Sequence, residues 1–385
     1  MRTNHAGTPN QVATVIGREC LRISLTALSF LLCLAAPYPV EAAISDITLD
    51  AKAFNPTAGK SIALSFVLGA GGSVSVNVFD ADGGLIRTLL KEDVMVSGKH
   101  EIAWDGRDDS GQLVPDEAYT FTVNTGSGDA YDPFATSGGI VGDIRDAEIN
   151  ANSGTVVYKV PEPSRVLIRM GTKSGPMLKT LVDWKPRVAG SITEYWDGRD
   201  EDKLMNLSEH KDFSALITYV TLPNATVITY GNDKESYRDY KLGRGRDRPG
   251  KRVQPRVVDP DPARKLAPEG FVPSPASRAP SVAVTLPGLA ESEKGVPSVQ
   301  ATLDVRVDVD PADKETLLTQ QFEVIFFVDN VFFAEAERGY LPYNWRWELQ
   351  QLPPGEHILT VNISSFKGQV GVGSRKIKVV KPDGK

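Results

Sequence analysis

The chain has 385 residues, of which 41% are hydrophobic and 24% charged, enough for about two to four ordinary domains with buried cores. A formal net charge of −6 at pH 7 argues against a general nucleic-acid surface, which needs a clustered basic excess. The two cysteines, Cys20 and Cys33, both fall within the first 43 residues, so a chain trimmed there is left without disulfides, cysteine metal sites, thiol chemistry or covalently attached haem.

Residues 1–43 read as a Sec-type signal peptide. Arg18 and Arg22 precede an apolar run from Ile23 to Ala36, and Pro37, Pro39, Val40 and Ala42 place small residues before a cleavage site. The alternative, a membrane anchor, needs roughly 20 apolar residues, more than this run supplies. Lipidation of Cys33 is a further option, but Leu32 stands where a lipobox wants a small residue. The expected location is periplasmic, outer-surface or secreted.

The five residues Trp104-Asp105-Gly106-Arg107-Asp108 return as Trp196-Asp197-Gly198-Arg199-Asp200, 92 residues later. The offset holds without gaps from Ser73/Arg165 to Asp108/Asp200, and outside the pentad it pairs Val74/Val166, Gly83/Gly175, Thr88/Thr180, Leu89/Leu181, Val96/Val188 and Gly98/Gly190. This is a tandem duplication. What repeats is a period-two pattern of strands. Copy one has Ile62, Leu64, Phe66 and Leu68, then Val74, Val76 and Val78; copy two has Val156, Tyr158 and Val160, then Val166, Ile168 and Met170. Asp82-Gly83-Gly84 and Ser174-Gly175-Pro176 supply turns between them. Units of about 90 residues built this way predict immunoglobulin-like sandwiches.

Within each pentad, the tryptophan stands at the end of a strand and is expected in the core, where an indole buries roughly 150–250 Å². Asp105 is expected to accept turn amides and Arg107 to pair with Asp108 across the loop. The same roles fall to Trp196, Asp197, Gly198, Arg199 and Asp200. The competing reading makes Asp105, Asp108 and Asp109 calcium ligands. It needs about six or more oxygens and finds Arg107 where a donor should stand. No metal or other cofactor is therefore expected.

Phe54-Asn55-Pro56, the Phe79-Asp80-x-x-Gly83 hairpin, Leu89, Gly98, the first pentad, Gly111, Pro115 and Tyr119 together resemble the Ig-like domain of flagellar hook-capping proteins over about residues 47–125. The resemblance implies a sandwich module that also occurs in secreted bacterial proteins unconnected with flagella. Copy two is similar in part: Lys203 replaces Gly111, and Glu194 replaces Ile102 on an inward-facing strand.

The expected organisation is all-β: a first Ig domain over 44–130, a second over 131–232, a linker over 233–280 and a third sandwich over 281–385. The linker is proline-rich and basic, with Lys251 and Arg252 as candidates for contact with an anionic polymer. In the third unit Asp310-Pro311 is expected to start a short helix. Tyr343, Trp345 and Trp347 alternate with Asn344, Arg346 and Glu348, so the aromatics belong in the core or, if they faced solvent, on a sugar-stacking platform. The Val328-Asp329-Asn330 turn, the proline before the aromatic strand and Leu352-x-x-Gly355-x-His357 resemble bacterial Ig-like domains appended to secreted glycosidases and cell-surface proteins.

Catalytic signatures are missing from the sequence: there is no Gly-x-Ser-x-Gly, His-Glu-x-x-His, phosphate loop or Cys-x-x-Cys-His. The expected function is non-enzymatic: an exported module for interaction, adhesion or assembly, whose partners are other envelope or extracellular proteins. A polysaccharide-binding accessory protein and a hook-assembly scaffold are the alternatives.

Overall fold

The computed structural model describes residues 44–247, 278–289 and 296–380. The expected leader (1–43) and the candidates Lys251 and Arg252 lie outside the described residues. No described helix is long and apolar enough to cross a membrane. The described chain forms three β-sandwiches, each with its own apolar core.

The first sandwich begins with β1 (Ile44–Leu49), β2 (Ala53–Phe54), β3 (Ile62–Leu68), β4 (Gly72–Asp80), β5 (Leu85–Met95), β6 (Gly98–Trp104), β7 (Ala118–Thr125) and β8 (Ala130–Tyr131). One sheet has the order β1-β3-β6. Alternate residues of β3 and β4 (Ile62, Leu64 and Phe66; Val74, Val76 and Val78) are buried against each other, as period two dictates.

After α1 (Pro133–Thr136) comes the second sandwich: β9 (Val141–Asp143), β10 (Glu148–Asn150), β11 (Thr155–Val160), β12 (Ser164–Thr172), β13 (Met177–Arg187), β14 (Gly190–Tyr195) and β15 (Phe213–Thr221). Its sheets run β10-β11-β14 and β13-β12-β15-β9. Glu194, which has no apolar counterpart's role to play here, accepts bonds from Tyr158 Oη (2.9 Å) and Arg187 Nε (2.8 Å). That pairing makes a carboxylate tolerable on a half-buried strand.

The chain then departs from the expected boundary at residue 232. β16 (Thr226–Thr229) does not join the second sandwich. It enters the first, parallel to β2 and antiparallel to β7, giving the order β2-β16-β7-β4-β5. The second sandwich is thus inserted into the first. Residues 237–247, expected in the linker, form α2 (Tyr237–Asp247). Tyr240 is buried in the first sandwich's core, and Tyr237 is buried beside it. Ser236 starts the helix by accepting from Asp239 N (3.1 Å) and donating to its carboxylate (2.6 Å), a reciprocal capping arrangement.

The third sandwich contains β17 (Val282–Thr285), β18 (Ser298–Val299), β19 (Thr302–Val309), α3 (Pro311–Thr319), β20 (Phe322–Val328), β21 (Val331–Ala336), β22 (Tyr343–Glu348), β23 (Gly355–Ser365) and β24 (Val370–Val379). The sheets run β17-β19-β22 and β18-β24-β23-β20-β21. Asp310 caps α3 through Ala312 N (2.8 Å), with Pro311 at its first position.

Candidate functional site

The two pentads occupy matching turns. Trp104 is 1% and Trp196 5% exposed, and each indole N–H donates to the carbonyl of the residue three further on, Arg107 or Arg199, at 2.8 Å. Asp105 and Asp197 accept the amides of Arg107 and Arg199 at 3.1 and 3.0 Å. The arginines reach round the loop to Gly111 O (2.7 Å) and Lys203 O (3.1 Å). Arg107 thus fastens the loop through a carbonyl and, at 3.8 Å, through Asp105, in place of the expected pairing with Asp108. Gly106 has a left-handed φ of 73°, and a Cβ there would lie 2.4 Å from Pro56 Cβ; only glycine fits. Lys203, standing for Gly111, keeps the same left-handed backbone (φ 58° against 84°), so the substitution preserves the turn at some strain.

The fifth residue separates the copies. Asp108 Oδ1 accepts from Ser110 N (2.8 Å), Ser110 Oγ (2.6 Å) and Gln112 N (3.0 Å), while Oδ2 accepts from Tyr240 Oη of α2 (2.9 Å). Burial pushes its carboxyl up, but the bonds from Ser110, Tyr240 and Gln112 outweigh burial and hold it below the ordinary range. Asp200 is equally buried, yet accepts from Met205 N (2.7 Å) through Oδ1, and its Oδ2 has no hydrogen-bond partner among the described residues. Around the rings the contrast repeats. Trp104 packs edge-on against Phe54, Tyr119 and Phe121 at centroid distances of 5.3–5.9 Å, whereas Trp196 stacks on Phe213 at 5.5 Å.

Helix α2 also holds the neighbouring β4–β5 hairpin with two further bonds, Tyr237 Oη to Asp82 (2.8 Å) and Lys241 Nζ to Asp80 (2.6 Å). The third sandwich packs against the corresponding end of the second. Asn362 brackets Met177 through its amide N (2.9 Å) and carbonyl (2.8 Å), and Asp202 accepts Ser374 N. The first and second sandwiches meet through Arg165 and Glu117, both buried and 2.6 Å apart. Burial raises the Glu117 carboxyl against the pull of Arg165. From α2, Arg238 bonds Asp313 of α3, which Arg278 also engages (3.0 Å). Sequence reasoning missed α2 and its side chains. The signal was there in Ser236-x-x-Asp239, hidden by the surrounding charge and proline.

The aromatics of β22 divide. Trp347 is buried, while Tyr343 and Trp345 pack half-exposed at the core's margin. Trp345 lies 4.7 Å from Phe326 and stacks on Trp347 at 5.3 Å, so its faces are largely engaged within the domain. Among the described residues, no group of three or more His, Cys, Asp or Glu is arranged to hold a metal.

These arrangements define a protein of three immunoglobulin-like β-sandwiches, the second inserted in the first. Residues 52–129 match the FlgD Ig-like domain family. Similar solved structures include FlgD from P. aeruginosa, at 25% identity, over 22% of this chain and 67% of that one, with a TM-score of 0.19. An endo-β-1,4-mannanase from Thermotoga petrophila aligns at 17% identity, over 50% of this chain but only 30% of its own, with a TM-score of 0.21. A structure of a 1.5-MDa bacterial ice-binding adhesin aligns at 13% identity over 88% of this chain and 98% of that one, with a TM-score of 0.19. Comparison with curated proteins returns no match.

Proposed function

We propose that this chain is a non-catalytic, exported bacterial protein that serves as an interaction, adhesion or assembly module on or outside the envelope, its partners being other envelope or extracellular proteins. The observation carrying this reading is the apolar outer strand of the third sandwich, where Val331, Phe332 and Phe333 are exposed in succession; contiguous apolar exposure of this kind marks interaction surfaces. The pentads support it from the other side, because their side chains are spent on closing turns. The arginine-flanked apolar run of residues 1–43 supports export. A polysaccharide platform is the weaker reading, since Trp345 turns its faces to Phe326 and Trp347.

The test combines cell fractionation with a photo-crosslinking residue placed at Phe332 or, as a control, at Val94, which is 88% exposed on the first sandwich. Export and a discrete adduct from position 332 alone are expected. Mature chain confined to the cytoplasm, or equal labelling from both positions, would sink the proposal.

A further inference from the structure

The outer strands of the three sandwiches are not protected alike. β5 carries Lys91-Glu92-Asp93, with Glu92 at a left-handed φ of 56° and the register with β4 broken. Its counterpart β13 has Trp184 at φ 47° and then Lys185-Pro186-Arg187. β6 presents Lys99, His100 and Glu101. Charge, proline and irregular backbone are what keep a sheet edge from accepting foreign strands. Over Val331-Phe332-Phe333-Ala334 β21 carries neither charge nor proline nor a left-handed residue, its one irregularity being a register shift that leaves Phe333 without an opposite on β20, and among the described residues it pairs with β20 alone. Its first three side chains are 69%, 52% and 37% exposed. Behind them Phe333 meets Trp345 and Trp347 at 5.8 and 5.6 Å, so an added strand would close over half-exposed aromatic surface.

We propose that β21 is a strand-addition site for an extended apolar segment of a different protein, with basic residues at the end that pairs with Glu335. The inference rests on the interaction reading above and specifies its partner. Main-chain donors and acceptors on a free edge select a β-strand, and the exposed side chains select apolar partners at alternate positions. Charge sets the polarity. Glu335 and Glu337 are exposed just beyond the apolar run, against a single Arg338, and neither is ion-paired among the described residues. An antiparallel complement therefore begins with Lys or Arg and continues apolar towards Val331. A second copy of this chain is a poor occupant: pairing two β21 strands antiparallel across Val331–Ala336 sets Glu335 opposite Phe332 and supplies no cation.

The experiment uses the full mature chain and two end-blocked synthetic peptides of alternating Val and Thr, one opening with Lys-Lys and the other with Glu-Glu. Hydrogen exchange of residues 331–336 reads the added ladder. The Lys-Lys peptide is expected to protect these amides saturably. Glu335→Lys with Glu337→Lys should transfer the preference to the Glu-Glu peptide by roughly fivefold or more, the weight of two cross-strand ion pairs. Phe332→Lys, at a half-exposed position whose ring meets Phe327 at 6.2 Å, should abolish protection while the domain stays folded. No protection by either peptide, a preference unmoved by charge reversal, or concentration-dependent dimerisation that protects residues 331–336 would overturn it. Adducts from position 332 in exported protein, together with no peptide protection, would leave the interaction reading standing and defeat the strand-addition claim alone.

Discussion

The same five residues make the same turn twice, yet different neighbours close over them: α2 covers the first copy, and the third sandwich packs beside the second through Asp202 and Met177. Asp108 uses both carboxylate oxygens and is roofed by Tyr240, whereas Asp200 Oδ2 has no hydrogen-bond partner among the described residues. Trp104 sits among three aromatic rings and Trp196 against one. What the turn needs for its own geometry, namely the indole bond, the aspartate at the second position, the glycine and the arginine loop contact, is kept in both. What divides the copies is what each turn meets outside itself. The divergence at Ser73/Arg165 follows the same rule, since Arg165 is the residue that fixes the second sandwich to Glu117 near β7 of the first.

The largest effects should come from the rings. Trp104→Ala is expected to cost roughly 3–5 kcal/mol in denaturant unfolding, and Trp196→Ala to fall at or below the bottom of that range. Equal losses would show that aromatic enclosure adds nothing to the motif. Next, Glu117→Ala strands a buried guanidinium and should cost about 3–5 kcal/mol, whereas a loss near zero would mean that the sandwiches do not depend on the pair.

The carboxylates sharpen the contrast further. Asp108→Asn should cost about 2 kcal/mol through weakened charge-assisted bonds, and Asp200→Asn less than about 1. Because the folded Asp108 carboxyl titrates below its unfolded value, its contribution is complete above the unfolded value and disappears as pH falls through the folded one. The acid-side loss in the first sandwich should therefore shrink in Asp108→Asn. Tyr240→Phe should cost about 1 kcal/mol and increase hydrogen exchange in α2, with no change around Asp200.

The smallest effect belongs to the third sandwich. His357 lies between Asp329 Oδ2 (2.6 Å) and Pro353 O (2.8 Å), two acceptors that together call for a doubly protonated ring. Burial lowers its pKa, but the bonds to Asp329 and Pro353 and the Asp329 charge raise it overall. Its stabilisation is then complete below the unfolded value, near 6.5, and fades as pH rises through the higher folded value. His357→Gln should flatten the alkaline side of that domain's stability curve.

The strands were legible because burial imposes period two on residues such as Ile62-Leu64-Phe66 and Val166-Ile168-Met170. The turns were legible because glycine and aspartate have few other uses at that spacing. The insertion was not. Thr226–Thr229 reads as an ordinary strand, and nothing local reveals that its ladder partners are Thr120 and Ala53. Helix α2 was concealed for a different reason: its two buried tyrosines are scattered among charges, so its place is set by bonds to Asp80, Asp82 and Asp108 rather than by an apolar stripe. The division among Tyr343, Trp345 and Trp347 was equally invisible, because alternation assigns a face and says nothing about where a sandwich stops.

β16 has a consequence for the order in which the molecule matures. A chain emerging from its N-terminus presents every strand of the second sandwich before Thr226–Thr229 can slot between β2 and β7. The earlier-made half must therefore wait, incomplete and with sheet positions unfilled, until the later-made half has appeared. Closing contacts as distant as Thr57 with Gly231 carries a loop entropy that the inserted unit does not face. The inserted sandwich should reach its native state first and bring the two ends of its host together.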